Sequence, residues 1–295
     1  MKSMWKGKNK KGFTLVELSL SIAFISILSI TVALIINDAI STYRRGLTLN
    51  QVNTVGMDLV DDIRAVVQNS PSKAVVGECL DYYSGSGNSN AKSNCEGDGA
   101  QKFVMFSHEA DLGDMQNVPM YGAFCTGAYS YIWNSGYFDS GEYNMSGVNR
   151  ATLKYKNKDG NDVSIADFRL LKVKDQQRAV CKVAIGTDYE QVDINANGGV
   201  IDISSYGNVG EDPEVILVND SANPLALYDL EVAAPAANSL GNSLFYPISF
   251  ILGTVQGGIN IMSNGNFCKT PTDYDSNFDY CAINKFNFAA QATGG

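Results

Sequence analysis

The sequence predicts an α+β protein, with one long N-terminal α-helix packed on a mainly antiparallel β domain whose loops are closed by disulfides. Three observations lead to this prediction. Residues 13–36 form an almost uncharged apolar tract, and a helical apolar pattern continues from it to about residue 70. Runs of strand-forming residues separated by turn signals fill much of the remainder. Six cysteines without a CxxC pair are typical of disulfides in an oxidising compartment.

The apolar tract FTLVELSLSIAFISILSITVALII (residues 13–36) contains a single charged residue, Glu17. As an α-helix it would be ~36 Å long, which is enough to cross a hydrocarbon core of ~30 Å. Five lysines precede it within residues 1–12, and such positive charge stays on the cytoplasmic side. A secretory signal peptide would instead end its apolar run at a cleavage site with small residues. The segment therefore predicts a single-pass membrane protein whose C-terminal bulk lies outside.

Glu17 calls for an explanation, because a carboxylate inside an apolar membrane segment is energetically expensive. A cut between Gly12 and Phe13 would create an α-amino group, which is mostly protonated at neutral pH because its reference pKa is ~8. Glu17 would then be the fifth residue of the mature helix, and the amine of a neighbouring subunit would offset its charge. We therefore expect Glu17 to be an assembly residue; the alternative is a simple membrane anchor with an incidental glutamate.

The segment KKGFTLVEL (residues 10–18) resembles the cleavage and methylation motif of type IV pilins and type II pseudopilins. The shared features are a basic leader, Gly before the cut, Phe after it and Glu five places in. The resemblance implies that residues 1–12 are a leader and that prepilin peptidase cuts after Gly12 and methylates Phe13. It also implies that Glu17 docks the chain beside other pilin subunits at an inner-membrane assembly platform. The mature protein is then expected in an extracellular filament at the cell surface.

Residues 37–70 are predicted to be the amphipathic half of the same helix. The helix should end near Asn69 and Ser70, because the residue before Pro71 avoids the helical region. Apolar positions recur at steps of three and four and predict one buried face: Leu49, Val52, Gly56, Leu59, Ile63 and Val66. The opposite face is expected to carry Asp58, Asp62 and Arg64, and the glycines Gly46 and Gly56 to be the weak points of the helix.

Residues 71–295 are predicted to be an extracellular, β-rich globular domain. Polar residues 186–213 could divide it into two lobes. The sequence Lys-Asp-Gly-Asn at 158–161, between two alternating runs, indicates a β-hairpin. The predicted strand runs are 103–107, 121–133, 151–157, 162–173, 178–185, 214–219, 225–233, 244–255 and 283–290.

The six cysteines allow 15 different pairings. Pairing by neighbourhood along the chain is the simplest arrangement; the alternative is a set of unpaired buried thiols. The neighbourhood pairing is Cys79–Cys95, Cys125–Cys181 and Cys268–Cys281.

Four side chains with oxygen ligands alternate in the loop between the last two cysteines: Asp273, Asp275, Asn277 and Asp279. Such ligands suit Ca²⁺, and some pseudopilins of the family hold calcium in a C-terminal loop. However, Phe278 stands where an EF-hand has its Gly, and Asn284 where it has its bidentate Glu. A solvated acidic loop is the alternative.

Little in the sequence points to catalysis or to nucleic acid. His108 is the only histidine, and Ser107 and Glu109 beside it would alternate on a strand rather than form a relay. The net charge of −9 becomes −14 once the five leader lysines are set aside, so nucleic-acid binding is not expected.

We therefore expect a structural filament subunit and not an enzyme. A displayed domain of roughly 220 residues is bulky for the family, which favours a large or minor pilin with a role in surface adhesion or motility. The alternatives are a pseudopilin of a type II secretion or DNA-uptake system, and a membrane-tethered enzyme that uses a pilin anchor.

Overall fold

The computed structural model describes residue 12, residues 14–70 and most of the strands beyond residue 103. It divides into two units, Met1–Arg44 and Arg45–Gly295. The ranges described beyond residue 103 are 104–112, 115–126, 128–139, 149–175, 180, 183–185, 188–190, 199–206, 211–217, 224–233, 236–237, 244–255 and 281–292.

Helix α1 spans Leu15–Asn69 and confirms the predicted long N-terminal helix. It ends where Pro71 requires, and Ser70 closes its last turn. The Ser70 backbone N–H donates to the Val67 carbonyl at 3.2 Å, and its hydroxyl donates to the Val66 carbonyl at 2.7 Å. These bonds satisfy carbonyls that would otherwise lack a partner at the helix end.

Fourteen strands form from the described residues, and nearly all of the pairings between them are antiparallel. β1 (Val104–Leu112), β2 (Met115–Cys125), β3 (Tyr129–Asn134), β6 (Leu170–Lys174) and β10 (Glu214–Leu217) make a five-stranded sheet in the order β1-β2-β3-β6-β10. In a second sheet, β13 (Leu244–Thr254) pairs with β11 (Leu225–Val232), β12 (Ala236–Ala237) and β14 (Ile283–Ala292). The α+β class is therefore confirmed.

Two smaller groups complete the strands. β5 (Asp162–Ile165), β4 (Thr152–Lys156) and β9 (Val200–Asp202) form a sheet in that order, and β4 pairs with β9 in parallel. β7 (Val183–Ile185) and β8 (Asp188–Glu190) form an antiparallel pair. The β4–β5 hairpin predicted at 158–161 is confirmed. Its turn has Gly160 at φ 81°, a region that favours glycine.

Two predicted runs are wrong as single strands. Residues 121–133 contain the end of β2, a turn and most of β3; the Thr126 hydroxyl and backbone N–H both donate to the Tyr129 carbonyl at 2.9 Å, which closes the turn. Residues 162–173 contain β5 and most of β6, which belong to different sheets. The interval between β5 and β6 includes Phe168, which is fully buried. Each of these runs therefore contains two strands, and those of the second run lie in different sheets.

The buried face of α1 confirms the predicted apolar pattern from residue 52 onward. Leu49 is the exception, because 43% of its surface is exposed. The buried positions of α1 are Thr48, Val52, Gly56, Leu59, Val60, Ile63, Val66 and Val67. They pack in one apolar cluster with side chains of both large sheets, among them Trp133 and Phe250.

A second apolar cluster lies on the other face of the five-stranded sheet. Ile132, Leu171 and Val173 point into it, together with Leu153 and Ile201 of the smaller β5-β4-β9 sheet. Neighbouring residues such as Trp133 and Leu170 belong to the helix-side cluster instead. Successive side chains of a strand point to opposite faces, so burial on both faces explains why β3 is buried along nearly all of its length.

The prediction that Asp62 lies on a solvated helix face is wrong. Its carboxylate accepts a hydrogen bond from the Tyr131 hydroxyl at 2.8 Å and pairs with the Lys172 ammonium group. That ammonium also lies 4.8 Å from the centre of the Tyr129 ring, a cation–π distance. Burial and the Asp62 carboxylate raise the pKa of Tyr131 above its ordinary value. The group joins α1 to strands β3 and β6.

Strand β14 makes further contacts with α1. The Asn284 amide donates to the Asn53 side-chain oxygen at 2.8 Å, and the Arg64 guanidinium lies 5.5 Å from the centre of the Phe288 ring. The Phe286 ring lies against Gly56. The predicted division into two lobes near 186–213 falls largely outside the described residues and stays a prediction.

Candidate functional site

The start of α1 is held by three reciprocal hydrogen bonds between Thr14 and Glu17. The Thr14 backbone N–H donates to Glu17 Oε2 at 2.9 Å, and the Thr14 hydroxyl donates to the same oxygen at 3.0 Å. In return, the Glu17 backbone N–H lies 3.3 Å from Thr14 Oγ1. Thr14 is therefore the N-cap residue and Glu17 is the third helical residue, which is the arrangement of a capping box.

The predicted cleavage site lies directly before this cap. Gly12 is exposed and lies outside the helix, whereas Phe13 lies outside the described residues. Sequence reasoning placed Glu17 in the helix but missed its bonds with Thr14. The signal was present in the sequence, because Thr-x-x-Glu before an apolar run marks a capping box.

The first part of α1 exposes apolar side chains on all sides within its unit. The exposed fractions of its large apolar side chains run from 85% at Leu15 down to 46% at Val32, and Phe24, Leu28 and Ile35 are more than three-fifths exposed. By length and composition α1 could cross a membrane, and it is the single such helix among the described residues. A helix that is apolar all round requires lipid or other protein around it.

Four hydroxyl groups of this tract are bonded within the helix. Ser21 donates to the Glu17 carbonyl and Ser26 to the Ile22 carbonyl, both at 2.8 Å. Ser19 and Thr31 donate to carbonyls three residues earlier, at 3.0 and 2.8 Å. These polar groups therefore need no partner outside the helix in an apolar environment. Glu17 remains the one ionisable side chain between Leu15 and Ile36.

Two of the six cysteines lie among the described residues, and both are disulfide-bonded. Cys125 ends strand β2 and is fully buried, and Cys281 lies just before strand β14. Cys79, Cys95, Cys181 and Cys268 lie outside the described residues, so the pairing by neighbourhood stays a prediction.

The predicted calcium loop cannot be placed, because Asp273, Asp275, Asn277 and Asp279 all lie outside the described residues. Within the described residues, no group of three His, Cys, Asp or Glu side chains could hold a metal ion. His108 lies in strand β1, where its backbone is opposite Tyr121 of β2. The candidate functional site is therefore the N-terminal segment: Gly12, Phe13, the Thr14–Glu17 capping box and the exposed apolar helix.

Comparisons of the chain with protein-family models, with curated proteins and with solved structures found no match.

Proposed function

We propose that this chain is a structural subunit of a type IV pilus-like filament, processed by prepilin peptidase and assembled through the first part of α1. The observation that carries the proposal is an apolar helix exposed on every side, with one carboxylate held at its third residue. The motif KKGFTLVEL at residues 10–18 gives that helix a place for cleavage. Before assembly, lipid would surround the helix; in the filament, helices of other subunits would replace the lipid.

The charge of Glu17 supports assembly over a passive anchor. A passive anchor does not need the charge, because a neutral Gln could make the same capping bond with Thr14, and an ionised group in an apolar membrane segment costs free energy. Removal of residues 1–12 takes away five positive charges and leaves an amine on Phe13. The Phe13 amine of one subunit and the Glu17 carboxylate of its neighbour then offset each other's burial.

The β domain supports a display role. The second half of α1 is packed into the apolar core of both large sheets, so this part of the helix is held as part of the displayed fold. The second half of α1 and the two large sheets thus share one core, and the first part of the same helix is the part that we propose binds neighbouring subunits. Surface adhesion or motility is the role that we propose for the domain.

Processing is tested by mass spectrometry of the protein from sheared filaments. The N-terminal peptide should begin at Phe13 and be heavier by one methyl group. Gly12→Leu should keep the leader and prevent assembly. Gly46→Ala is the matched control, because a Cβ at Gly46 would meet no atom within 4 Å, and this variant should be cut normally. An intact leader in the assembled protein would contradict the proposal.

Assembly is tested with Glu17→Gln, which keeps the size of the side chain and removes its charge. The variant should insert, be cut after Gly12 and fold, yet enter filaments poorly beside wild-type subunits. Glu17→Val should insert at least as well as wild type, because it removes the burial cost. If both variants enter filaments at wild-type levels, the charge of Glu17 does not drive docking.

A further inference from the structure

We propose that Thr14 is a positioning residue for assembly, which holds the Glu17 carboxylate so that one oxygen is satisfied within the chain and the other is presented to a neighbouring subunit. The inference rests on the proposed function and adds a second residue to it. It is based on the three hydrogen bonds of the capping box: two donors of Thr14 bond to one oxygen of Glu17, and the Glu17 backbone N–H bonds to the Thr14 hydroxyl.

Both donors of Thr14 bond to the same carboxylate oxygen. The backbone N–H and the hydroxyl lie 2.9 and 3.0 Å from Glu17 Oε2. No other described residue donates a hydrogen bond to the second carboxylate oxygen, Glu17 Oε1. Within the described residues the carboxylate is therefore held through Oε2, and Oε1 is the oxygen to which we assign the donor from a neighbouring subunit. A protonated amine on a neighbouring subunit is a donor of the required charge.

Thr14 also limits the orientations of the side chain. A glutamate at an exposed position has three rotatable bonds, and ordering such a side chain at an interface opposes binding. The two bonds to Oε2 order the Glu17 side chain before the neighbour arrives. At the same time, the bonds partly replace the water that the carboxylate loses in an apolar environment, since buried charges need hydrogen-bond partners.

The hydroxyl of Thr14 is the group that substitution can remove. Its backbone N–H remains in every variant, whereas its hydroxyl donates to Oε2 and accepts from the Glu17 backbone N–H. Thr14→Val keeps the branched shape without the hydroxyl, and Thr14→Ser keeps the hydroxyl with less bulk. Loss of an N-cap hydroxyl has an effect that corresponds to about a fivefold change in an equilibrium constant.

The experiment expresses full-length variants beside tagged wild-type subunits in cells with the assembly machinery. Quantitative mass spectrometry measures the ratio of variant to wild type in sheared filaments and in membranes. Thr14→Val should be cut and inserted normally but lower the filament ratio about fivefold. Thr14→Ser should restore the wild-type ratio.

A double variant separates positioning from simple helix capping. If Thr14 acts through Glu17, Thr14→Val should change the filament ratio little in a Glu17→Gln chain, where the charged acceptor is already lost. If Thr14→Val lowers the filament ratio by the same factor in the wild-type chain and in the Glu17→Gln chain, Thr14 only caps the helix and the inference is overturned. A wild-type ratio for Thr14→Val would also overturn it, even where Glu17→Gln fails to assemble. Wild-type assembly of Glu17→Gln would instead refute the proposed function itself.

Discussion

Gly56 offers the sharpest test of how α1 is packed, because two effects of Gly56→Ala oppose each other. In an open helical position, Ala is more stable than Gly by up to about 1 kcal/mol. At Gly56, however, a Cβ would lie within 2.6 Å of three ring atoms of Phe286, namely Cζ, Cε1 and Cε2. Real Cβ atoms do not approach other atoms so closely, so the ring or the helix must move.

The Phe286 ring has little room to move. It is 8% exposed and stacks on Phe250, with ring centres 5.0 Å apart and planes inclined by 24°. Overpacking of a core costs about 1–3 kcal/mol, which exceeds the gain in helix propensity. We therefore expect Gly56→Ala to lower the free energy of unfolding by about 1–2 kcal/mol. For a chain of this size, this corresponds to a fall in Tm of roughly 2–8 °C.

The measurement is thermal unfolding of the full-length protein in detergent, followed by circular dichroism. Gly46→Ala is the control, since no atom lies within 4 Å of a Cβ at that position. It should leave the Tm unchanged or raise it. Phe286→Leu should make Gly56→Ala less harmful, because it removes the ring that the new methyl group meets. If both glycine variants raise the Tm equally, the close packing of Gly56 on Phe286 is refuted.

Three further predictions concern the β domain. Asp62→Ala should lower the free energy of unfolding by about 1–2 kcal/mol, because it leaves a mostly buried ammonium and a tyrosine hydroxyl without their carboxylate; denaturant titration measures this. Burial and the nearby Glu231 raise the pKa of Asp229 to about 6. Its unfolded pKa is ~3.9, so stability from this group is fully present below pH ~4 and is lost as pH rises through 6. Asp229→Asn should therefore stabilise the protein at pH 7.5 and flatten this part of the pH profile. Peptide mapping without reductant should recover Cys268 linked to Cys281, a short loop whose closure stabilises by about 3 kcal/mol.

Each of these has an outcome that would count against it. Asp61→Ala is the control for Asp62, because Asp61 forms an exposed pair with Arg64, and the loss of such a pair should cost less than about 0.5 kcal/mol. Equal effects of the two variants would mean that the contact with Lys172 contributes nothing. A pH profile of stability that Asp229→Asn leaves unchanged would show that this carboxyl group is solvated. Recovery of Cys268 or Cys281 as a thiol would remove the predicted loop.

Local features of the sequence were sufficient to predict the helix α1 and most of the buried face in its second half. The apolar tract, the lone Glu17 and the steps of three and four are all properties of neighbouring residues, and Pro71 ends the helix by a steric effect on the residue before it. The turn at Gly160 could also be predicted, because its signal lies in a few neighbouring residues. The capping box at Thr14 was equally local and could have been read from its spacing alone.

Only the tertiary structure decided which residues meet across the chain. Gly56 resembled a weak point of the helix until Phe286, 230 residues later, was found against it. Asp62 resembled a solvated residue, but Lys172 reaches it from strand β6, 110 residues away. The break between β2 and β3 was hidden because the described residues on both sides of it are almost all buried, whereas β5 and β6 follow each other closely along the chain but belong to different sheets. Periodicity reports how much of one element is buried, whereas the identity of its partners depends on packing between distant segments, which no short window of the sequence contains.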